Sequence, residues 1–555
     1  MNKKVCSFPI LFALLALLIG TCAVVFPASA QAAPTSTGSI TVSGTVASSY
    51  DAYQIFSANV VDGDSDAKIA TDLAWASDAV RDAVLPVLHS AGMPNSQTTA
   101  QEAAEWLNTD SHLTSALSAQ LARSLQSFDA ESVALNADTT AELPCGYWLI
   151  VADDDAIAEG EAGTAPIMVL VGGSAVTVKP KAATPKVKKH VLEDSTAAWQ
   201  KAADATVADD LYWRLSATVP AGLSAYDAYA VQFVDTMGAG LDPSRVAASM
   251  RVYVAAGADG GFDAVSTGKD GRAGTEPAKG WTDITSQCAT KVAADGTFTV
   301  RTGDLIAALG GADAFTAGAR VVAVYNAPLN SACNHGIAKG NPNEVYLRYP
   351  RSPLADQSGD AGFTRTPSDD ACAYTWDLAL TKRGSDGDKP LAGAVLSITD
   401  DRGRTLSADG TWDAEGKATV TTGEDGRVTV SGVDSGKLEV RELKAPKGYT
   451  AFEGTRSVTV KAEGLDVDQV AAAKPKLTIT AESPLRADSA DGSTGSLEAS
   501  LINTPTGTPP SITTGGFMPS TGDMAMYAAA AATVAGAALI VVALLVKRGG
   551  GSHKE

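Results

Sequence analysis

The chain has 555 residues, 45% of them hydrophobic, and a formal net charge of -20. That length holds several domains with cores of their own. The acidic balance argues against nucleic acid as a partner, because its binders need basic patches, and it favours solubility through mutual repulsion.

Lys3 and Lys4 precede an apolar run over 10–25, and small-x-small sites follow at 28–30 and 30–32. A basic start, an apolar centre and such a site make a secretory signal peptide over 1–30, removed on export. A first domain is expected over 38–181. Ile40-Thr41-Val42 and Tyr53-Gln54-Ile55-Phe56 begin it as strands, and 147–151 and 167–171 return as strands. Between them, 67–91 and 99–127 are rich in Ala and Leu at helical spacing, with Pro86 interrupting the first. The expectation is a sheet with helical insertions.

A second domain is expected over 185–353, with alternating strands at 212–219, 230–234, 321–325 and 344–349 separated by Gly-rich turns. This is the pattern of a β-sandwich. A third block, 373–503, has short strands and turns at Asp409-Gly410 and Asp425-Gly426. The fold class is therefore mainly β: tandem β-sandwich domains of Ig-like type, with helical insertions in the first domain. Residues 504–517 are a Pro-, Thr- and Gly-rich linker. Beyond the pentapeptide 518–522, an apolar stretch over 524–546 is long enough to span a bilayer, and the basic start of the tail 547–555 would stay cytoplasmic.

Cys6 and Cys22 leave with the signal peptide, and Cys145, Cys288, Cys333 and Cys372 remain. Export permits disulfides, and four cysteines allow three pairings. Cys288 with Cys333 is preferred because both fall in one expected domain. The five histidines are scattered and no C-x-x-C occurs, so neither a metal nor a cofactor is expected. The run Asp62-Gly63-Asp64-Ser65-Asp66 lacks the Gly and closing Glu of a calcium loop and reads as a solvated turn.

Several motifs carry a resemblance. Met518-Pro519-Ser520-Thr521-Gly522 resembles the LPxTG sorting signal, with Met for Leu. The resemblance implies sortase cleavage between Thr521 and Gly522 and transfer of the Thr carboxyl to an amine; the Met leaves the sortase class open. The third block contains a strand ending in Lys382, then Leu391-Ala392-Gly393-Ala394, then Glu442-Leu443-Lys444-Ala445-Pro446-Lys447-Gly448-Tyr449, and ends at Asn503. This order resembles the Cna B-type domain, in which a first-strand Lys and a last-strand Asn form an isopeptide bond beside a Glu. Carried over, these are Lys382, Asn503 and Glu442.

The second block resembles the isopeptide-forming middle domain of major pilins. Pro185-Lys186-Val187-Lys188-Lys189-His190-Val191 is similar to its opening strand and gives Lys189, or Lys188 in the other register. Phe233-Val234-Asp235 gives the acid Asp235, and Gly340-Asn341-Pro342-Asn343 gives Asn343, or Asn341. Thr177-Val178-Lys179-Pro180-Lys181 looks like the pilin motif. It implies Lys181 as the polymerising amine, with Lys179 as the alternative.

Together these imply a Gram-positive, sortase-assembled backbone pilin anchored to the cell wall at the cell surface. The alternative is a monomeric wall-anchored adhesin with the same stalk. Implied partners are pilus-class and housekeeping sortases, further copies of the chain and peptidoglycan, with minor pilins and host surface ligands left open. No enzyme activity is implied.

The residue types suit the chemistry. A Lys amine attacks only when neutral, and burial disfavours its charged form. A buried carboxyl kept protonated can polarise the Asn amide and ease loss of ammonia. The expectation is a crosslink between the first and last strands of each domain.

Overall fold

The computed structural model describes residues 36–507 except Thr45, Ser65, Asp66 and Asp110. The expected signal peptide, the expected linker 504–517 beyond residue 507, the sorting pentapeptide with Thr521 and Gly522, the apolar span and the tail lie outside the described residues. Thr504 and Pro505, read as linker, instead end the strand Ser496–Pro505. Among the described residues no helix is long and apolar enough to cross a membrane.

The first domain has three layers. A three-stranded sheet, ordered Thr140–Pro144, Thr37–Val42, Val176–Val178, faces a five-stranded sheet built on Ser49–Asp62 and Gly146–Ala152. Trp148 and Ile150 pack toward the small sheet, against Ile40, Val42 and Val178. Leu149 and Val151 point the other way, onto Val84, Leu88, Leu121 and Leu125 of the helices. Burial on both faces is why this strand is an unbroken apolar run.

Three helices cover the outer face: Asp78–Ser90, Ala100–Asn108 and Ser115–Ser127. Ser77, Thr99 and Thr114 cap them, and Thr99 with Glu102 forms a capping box. Two expectations are corrected here. Residues Lys68–Trp75, read as the start of a helix, form a strand paired with Ser49–Asp62, where ladder hydrogen bonds outweigh the Ala content. The first helix also runs through Pro86 instead of breaking there; its packed face, with Val80, Ala83, Val84 and Leu88 buried, compensates for one missing backbone bond.

The second domain is a sandwich. One sheet runs Ala198–Gln200, Lys186–Glu193, Tyr212–Val219, Ala319–Asn326, Arg251–Ala256, Thr282–Asp283. Its partner runs Ala202–Asp204, Asp369–Tyr374, Asn341–Pro350, Gln232–Met237, Thr297–Arg301, Ala289–Val292. Val191, Trp213, Phe233, Val300, Tyr325 and Leu347 fill the space between. The domain therefore ends at Tyr374 rather than at 353, because Phe363–Arg365 and Asp369–Tyr374 both pair with Asn341–Pro350. The strand carrying Asn343 is thus central, not last.

In the third domain Trp376–Gly384 lies between Arg427–Val433 and Ser496–Pro505, and the latter pairing is parallel. The facing sheet is built on Val395–Thr399, Gly436–Lys444, Thr455–Glu463 and Lys476–Ala481.

Hydrogen bonds tie the domains together. Arg123 donates to the Pro353 carbonyl at 2.8 Å, and Tyr349 donates to that of Gly160 at 2.8 Å. Asp204 accepts from Trp376 Nε1 at 2.7 Å and from the Ser435 amide at 2.9 Å.

Candidate functional site

Strand alternation decides which lysine enters the second core. Val187, Lys189 and Val191 are buried while Lys186 and Lys188 are exposed. Lys188 reaches only Asp369, at 3.6 Å. On the opposite sheet Asn341, Asn343, Val345 and Leu347 share the inner face, as do Phe233, Asp235 and Met237 on the neighbouring strand. Asn343 pairs with Met237 and Asp235 with Val345, so the acid and the amide sit diagonally on adjacent strands. Lys189 comes down on them from the facing sheet.

All three are fully buried, each at 0% exposure. Lys189 Nζ forms an ion pair with Asp235 Oδ2 and donates to the Tyr325 hydroxyl at 2.8 Å. Tyr325 in turn donates to Asp235 Oδ2 at 3.2 Å and accepts from Asn343 Nδ2 at 3.0 Å. Burial lowers the Lys189 amine to about 8, against the upward pull of the Asp235 charge. Burial also lifts Asp235 to about 6, with the Lys189 charge opposing. Neutral and ionised forms of the pair are therefore both accessible near neutral pH.

Asp235 Oδ1 and Asn343 Oδ1 are buried without a hydrogen-bond partner. Such groups cost about 1–3 kcal/mol each. A proton on Asp235 would supply a donor among acceptors that have none. Asn341 is different: its Oδ1 accepts from the Asn334 amide at 2.8 Å, and its Nδ2 donates to the carbonyls of Asn334 and Ala373. Its amide is committed to holding a loop.

The third domain assembles a similar group by a different route. Lys382 follows Leu378 and Leu380 on the inner face, and Asn503 follows Leu497, Ala499 and Leu501. In the parallel ladder Lys382 pairs with Leu501 and Gly384 with Asn503, so the lysine and the amide are diagonal neighbours within one sheet. Glu442 points in from the facing sheet beside Val440.

Lys382 Nζ lies 3.6 Å from Glu442 Oε1 and donates to the Leu501 carbonyl at 3.2 Å. Asn503 Nδ2 donates to both Glu442 oxygens at 2.9 Å. The Asn503 carbonyl oxygen is buried without a partner. Burial lowers the Lys382 amine to about 8, against the pull of Glu442. Gly426 supports the entry of this strand. Its φ of +73° and a Cβ position 2.7 Å from the Leu391 amide leave no room for a side chain, and its carbonyl accepts from Lys382 N at 2.8 Å.

Lys179 and Lys181 are both exposed, in the irregular segment between Val176–Val178 and Lys186–Glu193. The Cys288–Cys333 pairing expected from a shared domain is not formed, and the four cysteines within the described residues are free thiols. Cys288 Sγ lies 3.3 Å from the Ile284 carbonyl, and Cys333 Sγ lies 3.6 Å from His335 Nε2. Each occupies its own loop, and a common domain does not supply the approach of about 6 Å between Cα atoms that a disulfide needs. Sequence reasoning missed Tyr325 altogether. It ends an ordinary apolar strand, and only a hydroxyl among inward-facing residues set it apart.

Residues 377–474 match the family described as SpaA, prealbumin-like fold domain. Over 143 residues the chain is 30% identical to the trypsin-resistant surface T6 protein of Streptococcus pyogenes serotype M6, an alignment covering 24% of each chain. Among solved structures, the T6 backbone pilin of the same serotype aligns with a TM-score of 0.46 and 16% identity, covering 85% of this chain and 98% of that one. The full-length major pilin SpaD of Corynebacterium diphtheriae aligns with a TM-score of 0.40 and 16% identity, covering 86% and 100%.

Proposed function

We propose that this chain is the structural backbone subunit of a covalently polymerised cell-surface pilus. It is exported, cut by a sortase between Thr521 and Gly522, and joined through the Thr521 carboxyl to Lys181 of the next copy. Peptidoglycan takes the place of that lysine at the base. Within each subunit, Lys189 bonds to Asn343 and Lys382 to Asn503, with Asp235 and Glu442 as the respective acids. Each bond forms once and the residues do not turn over.

The observation that carries this is the pair of enclosed Lys–acid–Asn groups in consecutive sandwiches. A buried amine and amide are costly residues to keep in a core, and here each amine lies beside a carboxyl and an amide. In each step the neutral amine attacks the Asn side-chain carbon and nitrogen leaves as ammonia. In the second domain a proton on Asp235 would be a donor for the unpartnered Asn343 carbonyl oxygen as charge builds on it. The packed sheets supply the proximity that free side chains lack. The exposed segment around Lys181 leaves its amine open to an enzyme.

Intact mass tests the internal bonds: the exported chain should weigh about 34 Da less than its encoded mass, one ammonia per bond. Wall extracts boiled in detergent test the polymer. A ladder of high-mass species that collapses to monomer on Lys181→Ala supports the pilus. A ladder that survives would remove Lys181 from the role, and no ladder in the native chain would leave a monomeric stalk.

A further inference from the structure

We propose that Tyr325 is a catalytic residue of crosslinking in the second domain, its hydroxyl carrying a proton from the attacking Lys189 nitrogen to the departing Asn343 nitrogen. This rests on reading Lys189 and Asn343 as the bonded pair. The hydroxyl touches both reacting nitrogens, at 2.8 Å and 3.0 Å, and Asp235 Oδ2 at 3.2 Å. Among the described residues, no hydrogen bond joins Asp235 to Asn343, so Tyr325 is the bridge between the acid and the amide.

The third domain explains why a bridge is needed. There Glu442 reaches Asn503 Nδ2 with both oxygens at 2.9 Å and stands 3.6 Å from Lys382 Nζ. One carboxyl spans attacker and leaving group. Asp235 is one methylene shorter, and a tyrosine hydroxyl occupies the gap. The two domains thus solve the same proton-transfer problem with different groups: a Glu alone, or an Asp with a Tyr.

The step balances. Neutral Lys189 Nζ forms a bond to Asn343 Cγ and gives up one hydrogen to the Tyr325 oxygen. Once Cγ is tetrahedral the Nδ2 lone pair is free, Tyr325 turns its own hydrogen from Asp235 Oδ2 to Nδ2, the Cγ–Nδ2 bond breaks, and ammonia leaves. Tyrosine ends as it began. Burial, and then the Asp235 charge, pushes the Tyr325 hydroxyl well above its ordinary range. It therefore stays protonated and can serve as a relay but not as a base. Its ring is held by Phe298, edge-on at 4.8 Å, a contact that Phe would keep.

The test is Tyr325→Phe in the full chain. Radiolabel is pulsed in during synthesis at pH 7, and the tryptic peptide joining the Lys189 and Asn343 strands is followed over time. The expected result is closure about a hundredfold slower than wild type, with the Lys382–Asn503 crosslink in the same molecules forming at the wild-type rate. Resistance of residues 186–374 to native trypsin shows that the variant has folded. Closure at the wild-type rate would overturn the role of Tyr325. Absence of this crosslink from the wild type would instead overturn the bonded pair itself. A second readout needs no mutation: the wild-type step should slow in D₂O, and a rate equal in both solvents would also overturn the relay.

Discussion

Replacing Lys189 with Met removes the amine from the second domain while keeping an apolar stem of similar length. The lost bond would have closed a loop of about 150 residues, and in the chain-entropy picture such a closure is worth about 5 kcal/mol. Asp235, left without its cation, takes up a proton rather than remain a lone buried anion. For a domain of this size about 1 kcal/mol moves the midpoint by 2–4 °C. Lys189→Met should therefore lower the melting transition of the second domain by about 10–20 °C and recover about 17 Da of the mass deficit. Calorimetry with intact mass on the same sample reads both. Lys188→Met is the control, since that side chain is 60% exposed and pairs only weakly with Asp369. Equal melting of the Lys189→Met and wild-type chains, or an unchanged mass, would show that no bond ends at Lys189.

Closure of the Lys189–Asn343 bond should be fastest between pH 6 and 8, following the limits of about 6 for Asp235 and about 8 for Lys189. Below that window the pair gains a second proton and the amine is charged; above it the acid is lost, and the rate of peptide formation should fall on both sides. Glu442→Gln should leave a deficit of only about 17 Da, with the second-domain crosslink intact in a tryptic digest. At the junction of the second and third domains, Asp434 faces Glu193, Asp194 and Asp204, with Asp209, Asp400, Asp401, Arg402 and Arg404 around the same cleft. Burial, and then the Asp204 charge, holds Asp434 well above its usual value, and burial with Asp204 pushes Glu193 up to about 8. Raised carboxyls stabilise the fold most below their unfolded values and lose that contribution as pH climbs toward the folded ones. The junction should thus melt lower at pH 8 than at pH 5, and Asp434→Asn should flatten that slope in a pH series of thermal scans.

The place of Asn343 changes the mechanical picture. In the third domain Lys382 and Asn503 lie on the first and last strands, so a bond there would carry tension from entry to exit. In the second domain the chain continues past Asn343 to Asp369–Tyr374 before it leaves. Load must still cross the ladder between that strand and Asn341–Pro350. The hydrogen bonds of Asp204 to Trp376 and Ser435 brace this exit.

Much of this was legible locally. Period-two burial around Lys189 and Lys382 follows from their apolar neighbours, because side chains on a strand alternate between faces. The same rule separates Lys189 from Lys188. It cannot separate Asn343 from Asn341, which share a face; only the Asn334 loop, by occupying the Asn341 amide, distinguishes them. The strand at Lys68–Trp75 was missed because its partner decides its state, and the end of the second domain because two short strands have too few residues for a period.

From the order of residues alone came the mainly β architecture and the lysines, acids and amides suited to amide formation. Packing decided how those groups meet. Tyr325, the central place of the Asn343 strand and the contrast between an Asp–Tyr and a Glu solution arise where side chains from different strands converge. Alternation along one strand says which face a residue takes. It says nothing about what the opposite sheet brings against it.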